Sequence, residues 1–389
     1  LKQRPDALPA ELAQAEELLQ RALALDPTFA LAQARLSILH SWRYHTDERS
    51  LRRMERARAA AMEALRLDPS LPETHHALGL LYYWVDRDYE KALRELAVAR
   101  EGLPNNADTY LATGAIERRQ GKWQQSTANM EKAASLGPND VWVLDNLAAN
   151  YAALRRYDLA EQMVDRALQI TPDSAALRAM RAMWVIEARA DLDAAEQILA
   201  RAPAGADPRG HVTMAKASVA IWKRDYARAI ALLQPLAETA AKDAEFRRER
   251  AVLLGVAHTL NGETREGRAA FEEARVAAES ALQQYPLDPK RHAQLGYILA
   301  WLGMKEPAVT HGRRATEMLP ESKDALDGPK QLVSLAQIYA LNGEHDQAFA
   351  ILARSLTTPA GITPAMLQLD PVWDQLRSDP RFAELLTQK

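Results

Sequence analysis

The sequence predicts an all-α chain made by repeating one helical hairpin, and three observations carry the prediction. Ala, Leu, Glu, Arg and Gln are abundant, aromatic residues make up only 6% of the 389, and β-branched runs bounded by turns are missing. A small residue recurs at Ala57, Ala92, Ser126, Ala160, Ala194 and Ala229, at spacings of 35, 34, 34, 34 and 35. Prolines keep step with it at Pro27, Pro69, Pro104, Pro138, Pro172 and Pro320, the middle three 34 apart. A fixed period of this length marks an array of supersecondary units rather than one globular core.

Taken in chain order, the opening segment from Leu1 to Ala10 carries Lys2, Arg4 and Asp6 where a secretory leader would be apolar. With Leu1 in place of an initiator Met, the chain reads as a piece of something longer. A lone helix over 11–25 follows, then hairpins to 357. The small position continues upstream at Ala15 and downstream at Gly267, Ala308 and Ala348, with gaps of 42, 38, 41 and 40. The longer gaps predict lengthened helices around Thr46 to Met54 and Val276 to Tyr285. Each proline ends a helix, since it lacks a backbone donor and disfavours the α conformation in the residue before it. Asn105, Asn106, Asp140, Asp173 and Ser174 then offer cap oxygens to the next helix. Gly121, Gly262, Gly303 and Gly343 mark the turn inside the hairpin, where a positive φ is needed. From Thr358 to Lys389 the period breaks. Two short helices started at Asp370-Pro371 and Asp379-Pro380 would set Leu369, Trp373, Leu376, Phe382 and Leu386 over the last hairpin as a cap.

The unit with Leu78, Gly79, Tyr82, Ala92, Leu96, Ala99 and Pro104 resembles the tetratricopeptide repeat, whose signature is W-x2-L-G-x2-Y, then A-x3-F, then P. Leu147, Ala148, Tyr151, Ala160, Val164, Ala167 and Pro172 repeat much of it, as do Leu254, Gly255, Phe271 and Ala274, and Leu335, Ala336, Tyr339 and Ala348. The resemblance runs from Glu11 to Leu356. It implies a right-handed α-solenoid of about nine hairpins, with a superhelix over 1–357 and a capping tail over 358–389. Thr113, Glu117, Arg181 and Gly312 depart from the pattern and suggest looser packing at those units. The repeat from Arg87 to Pro104, together with the tail, resembles the C-terminal repeat region of multidomain bacterial regulators. In those proteins such arrays follow a winged-helix, nucleotide cyclase or Ser/Thr kinase domain. The resemblance therefore implies a signalling or transcription-regulating role, a covalently attached N-terminal output domain, and a cytoplasmic location, or a periplasmic one if a membrane span precedes Leu1.

Composition narrows the function further. Forty-nine Lys and Arg against 52 Asp and Glu give a net charge of -3, without the basic excess that phosphate-backbone binding needs, so no direct nucleic-acid contact is expected. Zero Cys removes disulfides, thiolate chemistry and Cys-ligated zinc. No stretch approaches the ~18 apolar residues of a membrane span. Phosphate-binding glycine loops, G-x-S-x-G and H-E-x-x-H are all missing, so no enzyme, cofactor or metal site is expected. His75 and His76 are adjacent, about 100° apart on a helix, and cannot chelate one ion together. His40 fills an aromatic packing slot. The repeated rings Trp42, Trp84, Trp222 and Trp301, and Tyr89, Trp123, Tyr157 and Tyr226, read as architecture that seals the hairpin turns.

In the repeat family the concave wall comes from the first helix of each hairpin. Carried onto this chain, that selects His76, Leu80 and Tyr83, then Leu111, Ala115 and Arg118, then Asp145 and Ala149, then Met183 and Ile186, then Met214 and Ile221. A wall of apolar and Met positions suits an amphipathic helix or an extended apolar peptide. Arg118 and Arg119 offer a fork for a carboxylate or phosphate. The Lys/Asn clamp by which some relatives hold a C-terminal carboxylate is missing, since Asp145, Ala115 and Ala149 stand at its positions. The expected function is a non-catalytic protein- or peptide-binding scaffold. The competing expectation is a sensor that closes around a small molecule or short signalling peptide near Met183, Met214 and Trp222.

Overall fold

In the computed structural model, residues 9–46, 50–203, 205–236 and 243–387 are described, and they form helices and turns with no strand among them. They fall into two compact units, Leu1–Asn150 and Tyr151–Lys389. The first holds α1 (Pro9–Leu25), α2 (Ala30–Thr46), α3 (Leu51–Leu67), α4 (Pro72–Leu81), α5 (Tyr89–Gly102), α6 (Ala107–Arg119), α7 (Trp123–Leu136) and most of α8 (Val141–Ala153). The second holds α9 (Tyr157–Ile170), α10 (Ala175–Arg189), α11 (Leu192–Ala200), α12 (His211–Trp222), α13 (Tyr226–Leu233), α14 (Ala244–Leu260), α15 (Thr264–Gln284), α16 (Pro289–Trp301), α17 (Lys305–Met318), α18 (Gly328–Asn342) and α19 (His345–Ser355). Its last elements are α20 (Pro364–Leu369), a 3-10 helix at Pro371–Leu376 and α21 (Pro380–Thr387).

Helices pair as antiparallel hairpins: α2 with α3, α4 with α5, and α6 with α7 in the first unit. In the second, α10 pairs with α11, α12 with α13, α14 with α15, α16 with α17, and α18 with α19. Helix ends fall where the prolines require. Leu25, Leu67, Gly102, Leu136, Ile170 and Met318 each close a helix two residues before a proline. Asn106 and Ser174 then cap the next helix, their side chains accepting the amides of Thr109 and Leu177. The second predicted insertion is a helix extension, since α15 runs unbroken through it. The first is split, with α2 ending at Thr46 and α3 beginning at Leu51, and residues 47–49 lie outside those described. The opening segment to residue 8 lies outside them as well.

One register unites the hairpins. A left-handed residue turns the chain at Arg87, Gly121, Arg155, Ala190, Arg224, Gly262, Gly303 and Gly343, with φ between 52° and 83°. Five residues later comes the buried small residue: Ala92, Ser126, Ala160, Ala195, Ala229, Gly267, Ala308 or Ala348. This corrects the predicted Ala194, which is only partly buried; Ala195 takes the contact. Because Ala194 and Ala195 adjoin, composition could not separate them, whereas the turn at Ala190 does. The looser packing expected at Gly312 is also corrected. A Cβ there would lie 2.7 Å from Ile338 Cδ1 and 2.9 Å from Leu335 Cδ1, so α18 already packs closely on the glycine and a larger residue would have to push those side chains aside.

The lone α1 is tied down electrostatically. Its Glu16 carboxylate accepts from Arg53 at 2.9 Å, Arg43 at 3.2 Å and Arg56 at 3.3 Å. His40 lies in the same cluster, with Nδ1 2.8 Å from Arg53 Nη1. Burial pushes His40 down to about 4, helped by the Arg53, Arg56 and Arg43 charges and opposed by Glu16. It is a neutral packing residue.

The turn register makes a paired prediction. Ala190 adopts φ 56° with a Cβ, and relieving it by Ala190→Gly should raise the unfolding free energy by about 1 kcal/mol. Gly262 has nothing within 4 Å of a built Cβ, so Gly262→Ala isolates the backbone term and should lower stability by about 1 kcal/mol. Urea unfolding of the two variants checks both signs.

Candidate binding walls on the first helices

In the first unit the predicted wall is packed and cross-linked to neighbouring first helices. His76 is buried, with Nδ1 3.2 Å from Thr109 Oγ1 on α6. Burial, with Arg35 nearby, pushes its imidazole down to about 4, so it stays neutral. Leu80 and Leu111 are 4% exposed. Arg119 Nε donates to the Tyr83 hydroxyl at 2.9 Å, and its guanidinium lies over that ring. Arg118 donates to the Asn146 backbone and side-chain oxygens of α8 at 3.3 and 3.4 Å. Neither arginine presents the expected open fork. Trp42 of α2 reaches Trp142 of α8, ring centroids 5.6 Å apart, and Trp84 stacks on His45. Asp145 and Ala149 are the predicted residues there that stay partly exposed. His75 bridges Glu95 and the Pro69 carbonyl within its own hairpin region.

In the second unit the predicted residues divide. Ile186 is fully buried in the core of α10, α11 and α12, and Ile221 is 3% exposed in the next core cluster. They belong to the packing stripe and not to an open wall. Met183 and Met214 are partly buried.

Met183 packs on the α10–α12 cluster, and the chain's own tail packs on the same cluster. Met366 and Leu369 of α20 pack on the α10–α12 cluster, and α20 contacts α10. Upstream, the Ala360 amide donates to the Ala153 carbonyl at 2.9 Å, and Arg155 Nη2 donates to the Ile362 carbonyl at 2.9 Å. Arg224 donates to the Leu369 carbonyl at 3.0 Å and pairs with Asp374 at 2.7 Å. The 3-10 helix packs on α18 and α21 on α19. Trp373 and Leu376 are fully buried there, Phe382 joins the same cluster, and Leu386 packs on it. The expected Asp-Pro starts occur at Pro371 and Pro380, preceded by a further short helix that Thr363 caps. Leu369, however, faces α10–α12 instead of the last hairpin. The tail therefore runs along first helices from the end of α8 to α18.

Sequence reasoning missed Arg155, Arg224 and Met366. A signal existed, because Arg155 and Arg224 stand in the turn position that glycine fills in four other hairpins. Asp370 sits where α20 meets the 3-10 helix, its Oδ1 accepting the Val372 amide at 3.0 Å. Burial pushes its carboxyl up to about 6, against that amide and the Arg224 and Arg377 charges, with Asp374 adding to the rise. Tyr297 of α16 is pushed up in turn by burial and by Asp370.

Among the described residues no group of three or more His, Asp or Glu is placed to hold a metal ion, and no helix is long and apolar enough to cross a membrane. No family model and no curated protein sequence matches the chain. Solved structures similar to it include tetratricopeptide proteins. A tetratricopeptide repeat protein from Parabacteroides merdae shares 19% identity, with 63% of this chain and 93% of that one covered and a TM-score of 0.45. Pseudomonas aeruginosa PilF shares 18% identity over 56% of this chain and 97% of that one, TM-score 0.40. A human IFIT1 dimer with m7Gppp-AAAA shares 14% identity over 98% and 96% of the two chains, TM-score 0.48.

Asp370 makes the tail sensitive to pH. Its folded pKa is raised above the ordinary 3.8 to about 6, so the folded state holds the proton more tightly than the unfolded one. Its stabilising contribution is complete below about pH 4 and is lost as the pH rises through 6. Asp370→Asn keeps the cap and removes the charge. The variant should melt higher than the unmodified chain at pH 7, and the difference should shrink by pH 5.

Proposed function

We propose that the chain is a non-catalytic interaction scaffold whose first-helix walls take a protein or peptide segment. One observation carries the reading: a segment of extended chain and short helix already lies along the first helices of the second unit. It is held through backbone carbonyls by Arg155 and Arg224 and through apolar contact by Met366 and Leu369. Such a wall provides the two elements of peptide recognition, main-chain hydrogen bonds for affinity and side-chain contacts for selectivity. Met183 adds a surface that adapts to the shape of its occupant. An attached output domain and a signalling or transcription-regulating role in a bacterium extend this proposal, on the strength of the repeat and tail resemblance.

The wall is tested by selecting peptides from a displayed random library against the full chain and mapping each binder by hydrogen exchange. Binders should slow exchange in first helices such as α10, α12 and α16. Protection confined to second helices such as α11, α13 and α17 would contradict the assignment.

A further inference from the structure

The residues that hold the tail are unusual for where they stand. In the hairpin turns at Gly121, Gly262, Gly303 and Gly343 glycine supplies the left-handed residue without strain. Arg155 and Arg224 adopt the same conformation, φ 59° and 64°, with a Cβ and a long side chain. A left-handed residue with a Cβ is sterically disfavoured. Arg87 and Ala190 take the same conformation in their own turns, so what sets Arg155 and Arg224 apart is where their side chains reach. Both guanidinium groups donate to tail carbonyls, one to Ile362 and the other to Leu369. Together with the Ala360 amide on the Ala153 carbonyl, the polar anchors are main-chain groups that any peptide could present.

Burial varies along the tail. Beyond Asp370, Trp373 and Leu376 are fully buried against the last hairpin and form a fixed cap. Before it, Ile362 and Leu367 are buried in the same cluster, whereas the side chains that meet the α10–α12 cluster, Met366 and Leu369, are only partly buried and Gln368 is exposed. Ile362, Met366, Leu367 and Leu369 are the apolar contacts, Ile362 in the extended stretch before the Thr363 cap and the other three within α20. Leu367 alone among them is fully buried.

We infer that residues 358–370 are a resident ligand of the second unit's own first-helix wall. A partner engages that wall by displacing them with a segment of the same chemistry: a short helix with apolar residues where Met366 and Leu369 stand, entered through an extended stretch whose carbonyl meets Arg155 and ended at a carbonyl that meets Arg224. The inference rests on the scaffold reading and adds that the wall is latched from within. Because the latch is covalently tethered, its effective concentration is high, and a free segment of equal intrinsic affinity binds the intact chain weakly.

The test uses the full chain and a fluorescein-labelled peptide of residues 358–370, read by anisotropy. Loosening the latch with Met366→Ala and Leu369→Ala together should tighten peptide binding at least tenfold over the unmodified chain. A second variant, Arg155→Gly with Arg224→Gly, relieves both strained turns, so its fold is kept, and removes both forks. It should exchange the Ala360 and Leu367 amides at least tenfold faster than the unmodified chain, yet fail to bind the peptide. If the loosened chain binds no tighter, or the double glycine variant keeps slow exchange, the latch is overturned. If displayed peptides still protect first helices of the loosened chain while the 358–370 peptide does not bind, the latch falls and the scaffold stands. If the loosened chain binds no peptide at all, both fall.

Discussion

The structure depends on the close approach of two helices at a small residue five positions beyond a left-handed turn. The turn sets the direction of the second helix, and the small residue lets it come within the ~8 Å end of the usual interaxial range. The opposing surface is equally constrained. A Cβ on Gly79 would stand 2.7 Å from Leu96 Cγ, and one on Gly255 would stand 2.8 Å from the Phe271 ring. Bulky side chains thus fill what small ones leave open, at the density of a protein interior. A hairpin closed in this way still has an apolar stripe that it cannot bury alone, so the next hairpin must cover it. Stacking follows from this shortage of partners.

Stacking leaves the first helices with a face that neighbouring hairpins do not cover, and the two units treat it differently. In the first, the face is closed by side chains that reach from one first helix to another, as in the Trp42–Trp142, Arg119–Tyr83 and Arg118–Asn146 contacts. In the second, the chain's own C-terminal segment lies on it. Arg155 and Arg224 link architecture to recognition there, since the same residue turns the hairpin and grips the segment. Glycine fills four of the eight turns, and at Arg155 and Arg224 the turn residue instead carries a side chain that reaches the tail.

The repeat was legible because its causes are local. Each proline ends a helix within two residues of itself, and each glycine turn takes the conformation that only glycine takes freely, so Pro104 and Gly121 could be read without a neighbour. The contact register was legible except at Ala194, where the adjacent Ala195 offers the same volume and only the left-handed Ala190 resolves the choice. The wall was less legible. Ile186 and Ile221 are apolar for the same reason as a groove residue, and a single chain does not say which apolar side meets which helix. The tail's course was least legible, because the contacts between Ile362 and Arg155 and between Leu369 and Arg224 span 207 and 145 residues and leave no periodic trace.

The central claim is that the segment before Asp370 rests on the first helices of the second unit, and a distance measures it directly. The chain has no Cys, so two can be introduced without background labelling, at the exposed Gln197 of α11 and the exposed Gln368 of α20. Pulsed electron spin resonance between labels at these positions should give one narrow distance distribution at neutral pH. A broad distribution extending to long distances, in a chain whose helicity is intact, would mean that the segment does not reside on the wall.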